Sequence, residues 1–330
     1  MWSIETGDTF PLASVKPFEG LMPYRQRCLQ ETRKACQGGT VRRERSPVSG
    51  ARLEPLGAVE GFEYLGCPES GSLFLAELPA SAEWARLLGL VSRHRQSAET
   101  FHADVAQTRA EHVYSPKLEW IQSALRMQGL ERPSVLEVVT PPSAVTALLR
   151  GCGSFSEVTT VNEMELAMAQ ATAPRERVEA AVLFESLDRV DDPAALLAAV
   201  RDRVADGGLL FVTALVSTGF DVAVLGLRNM YLYPPDRTNC FSLQGLEVLL
   251  RQAGFTLLEV STPGVLDVEI VQTHLRHDPS LPLSGFDRQL LGADRQTLEA
   301  FQTFLQQNRM SSFARIIGRK HTRGGDDRTA

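Results

Sequence analysis

From residue 134 to about 261 the chain alternates between short apolar runs and amphipathic stretches. No other feature restricts the fold as much. The runs at 135–139, 157–161, 179–184, 208–214 and 255–261 have the length and branched content of buried strands. Between them, 143–150, 163–171, 193–204 and 242–252 carry helical periodicity. Strands that alternate with helices build a mainly parallel sheet wrapped by helices. "ADGG" at 205–208 is expected to stop one helix with a C-cap glycine and feed the next strand.

The flanking segments read differently. Residues 1–43 form a helical segment, with an amphipathic helix over 23–37 that "CQGGT" breaks. Residues 44–80 are short and turn-rich, with "SPVSG", "VEGFEYLGC" and "PESGSLFLAELP", and predict a small β unit of hairpins. Residues 81–130 are charged and helix-prone, a connector whose last helix is "SPKLEWIQSALRMQGL". Residues 131–320 make the α/β domain, closing with helices and a strand near "FARIIGRK". Residues 321–330 are expected to be disordered.

Composition narrows the function classes. A chain of 330 residues, 43% hydrophobic, has room for a sizeable core. Its net charge of -6 gives no support to a nucleic-acid or membrane-surface role. No apolar run reaches about 18 residues, so no membrane span is expected. "MWSIETGDTF" is acidic where a secretory signal is basic and then apolar. Five scattered cysteines argue against a disulfide framework and for a reducing compartment, so the expected location is cytoplasmic.

The chemistry centres on "SVLEVVTPPSAVTALL", residues 134–149. It has the shape of a strand–loop–helix unit with one acid, Glu137. Where many α/β proteins carry a glycine-rich cofactor loop, it has Thr140-Pro141-Pro142-Ser143. Downstream, "AAVLFESLDRVDDPAALLAAVRDRVADGGLLFVTAL" resembles the fourth and fifth strand region of class I S-adenosylmethionine-dependent methyltransferases. The resemblance continues through "GFDVAVLGLRNMYLYPPDRTNCFSLQGLEVLLRQAGFTLLEVSTPG" to "FQTFLQQNRMSSFARIIGRK". It covers about 44–320. It is nearest to a bacterial branch found with polysaccharide and cell-envelope biosynthesis, whose members begin with a zinc-ribbon-like unit. The implied fold is a Rossmann-like α/β sandwich with a small β-rich unit before it.

The family's functional positions are where this chain departs from the pattern. The three loop glycines fall at Val139, Pro141 and Ser143. Glycine serves there because the backbone turns tightly and approaches the cofactor, and proline has no N–H to offer. The acid that binds the ribose hydroxyls at the end of the second strand falls at Asn162, or at Glu163 by a one-residue slip. The four zinc-binding cysteines fall at Ser46, Ser49, Cys67 and Ser70, which predicts a ribbon without metal. Three family histidines are replaced, in Asp188-Arg189, in Pro234-Pro235-Asp236-Arg237 and in Ser311-Ser312-Phe313. Arginine cannot act as a base there.

Two readings follow. In the first, the chain is a degenerate methyltransferase that needs no cofactor and binds a ligand or a protein partner, such as an intact methyltransferase or pathway enzyme. In the second, it is an active S-adenosylmethionine-dependent methyltransferase acting on a sugar or other small molecule. Glu137, Asn162 and Glu185 would then help hold the cofactor. Glu185 ends a central strand, at the edge where open α/β sheets bind ligands. Tyr231, Tyr233 and Arg237 lie in a long loop expected over the same edge, as pocket lining or as filling above the sheet. His274 and His277 read as a solvated helix face.

Overall fold

A computed structural model describes residues 10–97, 101–141, 143–168 and 176–321. The alternation becomes one sheet of six strands: β1 (Ser134–Val138), β2 (Glu157–Val161), β3 (Val178–Phe184), β4 (Val204–Leu215), β5 (Phe255–Ser261) and β6 (Phe313–Lys320). Their spatial order is β2-β1-β3-β4-β6-β5. Strands β1 to β4 run parallel. Strand β6 returns antiparallel between β4 and β5.

Local chemistry marks each crossover helix. Ser143, Asp192 and Ser242 accept backbone N–H bonds at the starts of the helices Ala144–Gly151, Pro193–Arg203 and Leu243–Gln252. A small polar side chain there satisfies donors that the first helical turn leaves open. The strand period of two then divides the core. Leu136, Val138, Ala181, Leu183, Leu210 and Val212 face one layer. Val135, Ala180, Val182, Leu209 and Phe211 face the other, against Ile121, Leu125 and Leu149.

One junction differs from expectation. The helix stops at Arg203, and Val204 is already extended and paired with Val178. Residues 205–208 therefore lie inside β4, where the register shifts against β3. Gly207, at φ +78, serves this irregularity and not a helix cap. Gly208 is needed for close approach, since a Cβ there would sit 2.8 Å from the Glu179 carbonyl.

The N-terminal part packs onto the same body. Helix Phe18–Cys36 leads to an antiparallel meander of Glu54–Val59, Phe62–Gly66 and Leu73–Leu75. A short strand from the β4–β5 connection, Asn239–Cys240, adds to Leu73–Leu75. That connection is thus stitched to the meander. Helices Ser81–Arg95 and Ser115–Met127 follow. Trp84 is fully buried, and its indole N–H donates to the Arg189 carbonyl at 2.7 Å.

Pro142, the end of the predicted helix 163–171 and residues 322–330 of the predicted tail lie outside the described residues. No helix among the described residues is long and apolar enough to cross a membrane.

Candidate functional site

The chain leaves β1 for β2 on one side and returns to β3 on the other, so the strand order reverses between β1 and β3. Diverging loops at such a point leave a crevice beyond the carboxyl ends of the strands. Here it is a cavity of about 1580 Å³. Its lining includes Glu137, Val139, Ser143 and Glu185, and also Tyr231, Tyr233 and Arg237 from the β4–β5 connection. Pro141, Asn162 and Glu163 are not part of that lining.

The loop after β1 is braced by its own side chains. Glu137 is 3% exposed. Its two oxygens accept from the hydroxyls of Ser143, at 2.9 Å, and Thr146, at 2.5 Å. Burial pushes its carboxyl up, against these two bonds. The Val139 N–H is bonded to the Val161 carbonyl at 2.9 Å. Ser92 donates to the Thr140 carbonyl at 2.9 Å. Among the described residues the only non-glycine positive φ angles are at Glu60, Glu185 and Arg309. The loop positions Val139, Pro141 and Ser143 thus use backbone regions that side chains and proline adopt freely.

Asn162 faces the following helix. Its side-chain oxygen accepts from the N–H groups of Met164, at 2.9 Å, and Glu165, at 3.2 Å. Glu163 is fully buried, and burial raises its carboxyl, with Thr140 opposing.

The floor of the cavity is an ion cluster around Glu185. This residue follows β3 at φ +58, an uncommon conformation for a side-chain-bearing residue. Its carboxylate meets Arg237 at 2.7 Å, Lys117 at 3.7 Å and Arg189 at 3.9 Å. Burial alone would raise its carboxyl; Arg237, Lys117, Arg189 and Lys16 together hold it well below the usual range. Beside it, Asp236 pairs with Arg95, lies 3.7 Å from Arg189 and accepts from the Tyr233 hydroxyl at 3.2 Å. Asp188, fully buried, lies 3.5 Å from Arg237 and is pushed up by burial to about 7, with Arg237 opposing.

Arg189 and Arg237, two positions where the family resemblance leads one to expect histidine, therefore meet at one carboxylate. Phe313, from the third replaced motif, lies under the Lys117 ammonium at 5.0 Å. No motif pointed to Lys16, Arg95 or Lys117, which come from N-terminal helices or from the turn after a short one. Burial lowers Lys117 to about 8, with Glu185 opposing. It lowers Lys16 to about 8 as well, and Lys16 lies over the Tyr231 ring at 4.3 Å.

Ser46, Ser49, Cys67 and Ser70, the positions that the family resemblance assigns to zinc ligands, also come together. Ser49 Oγ lies 3.6 Å from Cys67 Sγ, at the mouths of two turns closed by Gly50 N–H to the Ser46 carbonyl and Gly71 N–H to the Cys67 carbonyl. Burial would raise the Cys67 thiol, but the hydroxyls of Ser70, Ser49 and Ser46 bring it to about 7. One thiol with three hydroxyls is a poor zinc donor set. Of the two histidines expected on a solvated helix face, His277 is exposed, with its ring stacked on Phe18 at 3.5 Å, whereas His274 is half-buried.

Comparison with known proteins agrees with the architecture. A sequence family described as a methyltransferase domain matches residues 84–260, more than half of the chain. The chain belongs to that methyltransferase domain family. No curated protein matches it. Among solved structures it is similar to the Burkholderia thailandensis 1,6-didemethyltoxoflavin-N1-methyltransferase, with bound 1,6-didemethyltoxoflavin and S-adenosylhomocysteine. There the identity is 12% over 81% of this chain and 99% of that one, with a TM-score of 0.42. It is also similar to an S-adenosylmethionine-dependent methyltransferase from Mesorhizobium loti, at 13% identity over 60% of this chain and 96% of that one, with a TM-score of 0.35. A third is Haemonchus contortus phosphoethanolamine N-methyltransferase 2 in complex with S-adenosyl-L-methionine, at 11% over 58% and 49%, with a TM-score of 0.38.

Proposed function

We propose that this chain is a methyltransferase-fold protein that transfers no methyl group and uses the former cofactor cleft for another ligand. The observation that carries this reading is the side chain of Asn162. Its oxygen caps a helix, and Glu163 beside it is buried outside the cavity lining. No carboxylate at the end of β2 is then offered to a ribose diol, the strongest polar grip on an adenosine. Two further observations support it. Proline at position 141 has no N–H for a cofactor carboxylate. The cations gathered at Glu185 repel a sulfonium, which carries positive charge at any pH. S-adenosylmethionine does not fit these residues.

The rest of the proposal follows the family resemblance. The 44–80 unit is a metal-free zinc-ribbon-like module. The chain works in a reducing cytoplasm, where its five free cysteines stay unpaired. It serves a bacterial cell-envelope polysaccharide pathway, alongside a protein partner such as an intact methyltransferase.

Calorimetric titration with S-adenosylmethionine and S-adenosylhomocysteine tests the central claim. Absence of heat at millimolar ligand supports it. Micromolar affinity, on the order of -8 kcal/mol, would overturn it in favour of an active enzyme with Glu137 and Glu185 at its cofactor.

A further inference from the structure

We propose that the cleft holds a small organic anion with two or more negative charges, seated between Lys16 and Lys117 above Glu185. The proposal deepens the reading of the cleft as a site for a ligand other than S-adenosylmethionine, and rests on it.

The charge balance of the wall is the first ground. In the cluster at Glu185, Lys16, Arg95, Lys117, Arg189 and Arg237 outnumber Glu185, Asp236 and Asp188, although the cavity lining as a whole carries both signs, Glu137, Asp221 and Glu259 included. Asp188, raised to about 7, contributes only part of a charge at neutral pH. Such a surplus is costly inside a protein, because low-dielectric walls strengthen repulsion among the cations. An anion seated beside this cluster relieves it.

The second ground is which cations remain available. Arg95 pairs with Asp236, and Arg237 is bonded to Glu185. Lys117 is 3.7 Å from Glu185, beyond hydrogen-bond distance, and sits over the Phe184 ring at 4.8 Å. Lys16 is in no ion pair among the described residues, and its ammonium lies over the Tyr231 ring. Both lysines line the same cavity as Glu185.

The third ground is a polar group without a partner. Tyr231 is 7% exposed and lines the cavity, and its hydroxyl has no hydrogen-bond partner among the described residues. Buried hydroxyls are almost always bonded, so an orphan beside a cation surplus marks a place for an acceptor. The volume of about 1580 Å³ is far more than an inorganic ion fills. Aromatic side chains among the lining, Tyr231 and Phe313, suit the organic body of a phosphate ester or polycarboxylate.

The test uses the full chain with pyrophosphate and citrate as probes, against sodium chloride of equal ionic strength. The expected result is a rise in Tm of about 5 °C at probe concentrations well above Kd, with saturable heat in calorimetry. In Lys16→Met, Lys117→Met and the double variant the rise should shrink by about tenfold in affinity per lost charge contact. Lys16→Arg, which keeps the charge, should retain binding and guards against a folding defect in the methionine variants. The proposal is overturned if neither probe exceeds the salt control, or if the rise survives in the double variant. A parallel titration with S-adenosylmethionine separates the two ideas. If the probes and the cofactor both leave no signal, the anion site alone fails. If the cofactor binds, the reading of the cleft fails, and displacement of cofactor by pyrophosphate would still uphold the anion site.

Discussion

Arg237 Nη2 lies 2.7 Å from Glu185 Oε2, which ties the β4–β5 connection to the end of β3. The same carboxylate reaches Arg189 and Lys117. One acid therefore organises four segments: the end of β3, the turn after it, the β4–β5 connection and the helix Ser115–Met127.

Glu185→Gln should be among the most damaging single changes at this site. It keeps the shape and leaves the partly buried cations without their counter-charge. Removing one partner of such a buried pair costs about 3 kcal/mol. Urea unfolding should show a lower midpoint with unchanged slope. Combining Glu185→Gln with Arg237→Met should recover part of the loss, and a strictly additive double variant would contradict the ion-cluster account.

Asn162→Ala should cost about 1 kcal/mol through its lost helix cap. Asn162→Asp should retain the cap, and in the proposed function it should confer no affinity for S-adenosylmethionine. Thermal melts and calorimetry on the pair separate a capping role from a ribose contact.

Asp188 links stability to pH. Burial raises its carboxyl from the ordinary 3.8 to about 7, so the folded protein holds a proton that the unfolded chain releases. Its stabilising contribution is full below about pH 4 and is lost as pH rises through about 7. The loss is about 4 kcal/mol across that window. Asp188→Asn should flatten this part of the stability profile. An unchanged slope in the variant would remove Asp188 as its source.

The converging serines make a constructive test. Replacing Ser46, Ser49 and Ser70 together by Cys supplies three thiolates beside Cys67. The variant should bind one zinc per chain, measured by metal analysis after gel filtration, and lose stability on chelation. The unmodified chain should melt at the same temperature with or without chelator. Failure of the variant to take up zinc would show that the four positions do not form a tetrahedral cage.

Alternation of buried strands with capped helices was legible in the residues alone, because a period of two or of 3.6 is a property of neighbours in the chain. The same local information marked Ser143 and Ser242 as helix starts. It misread residues 205–208, where pairing of Val204 with Val178 outweighs a local glycine signal. That Val139, Pro141 and Ser143 lie in the loop after β1 could be read from the strand–loop–helix pattern. That Asn162 would turn toward Met164, and not toward the cleft, could not, since an asparagine can cap a helix or bind a hydroxyl equally well.

The sequence by itself determined the layered α/β architecture and the strand that Glu185 follows. Tertiary structure alone decided the site. Lys16, Lys117, Arg189 and Arg237 are far apart in the chain and acquire meaning only when four segments fold against one carboxylate. The reason is physical: side-chain periodicity is set by adjacent residues, whereas charge surplus, desolvation and an unpartnered hydroxyl exist only once distant groups share a water-poor cavity.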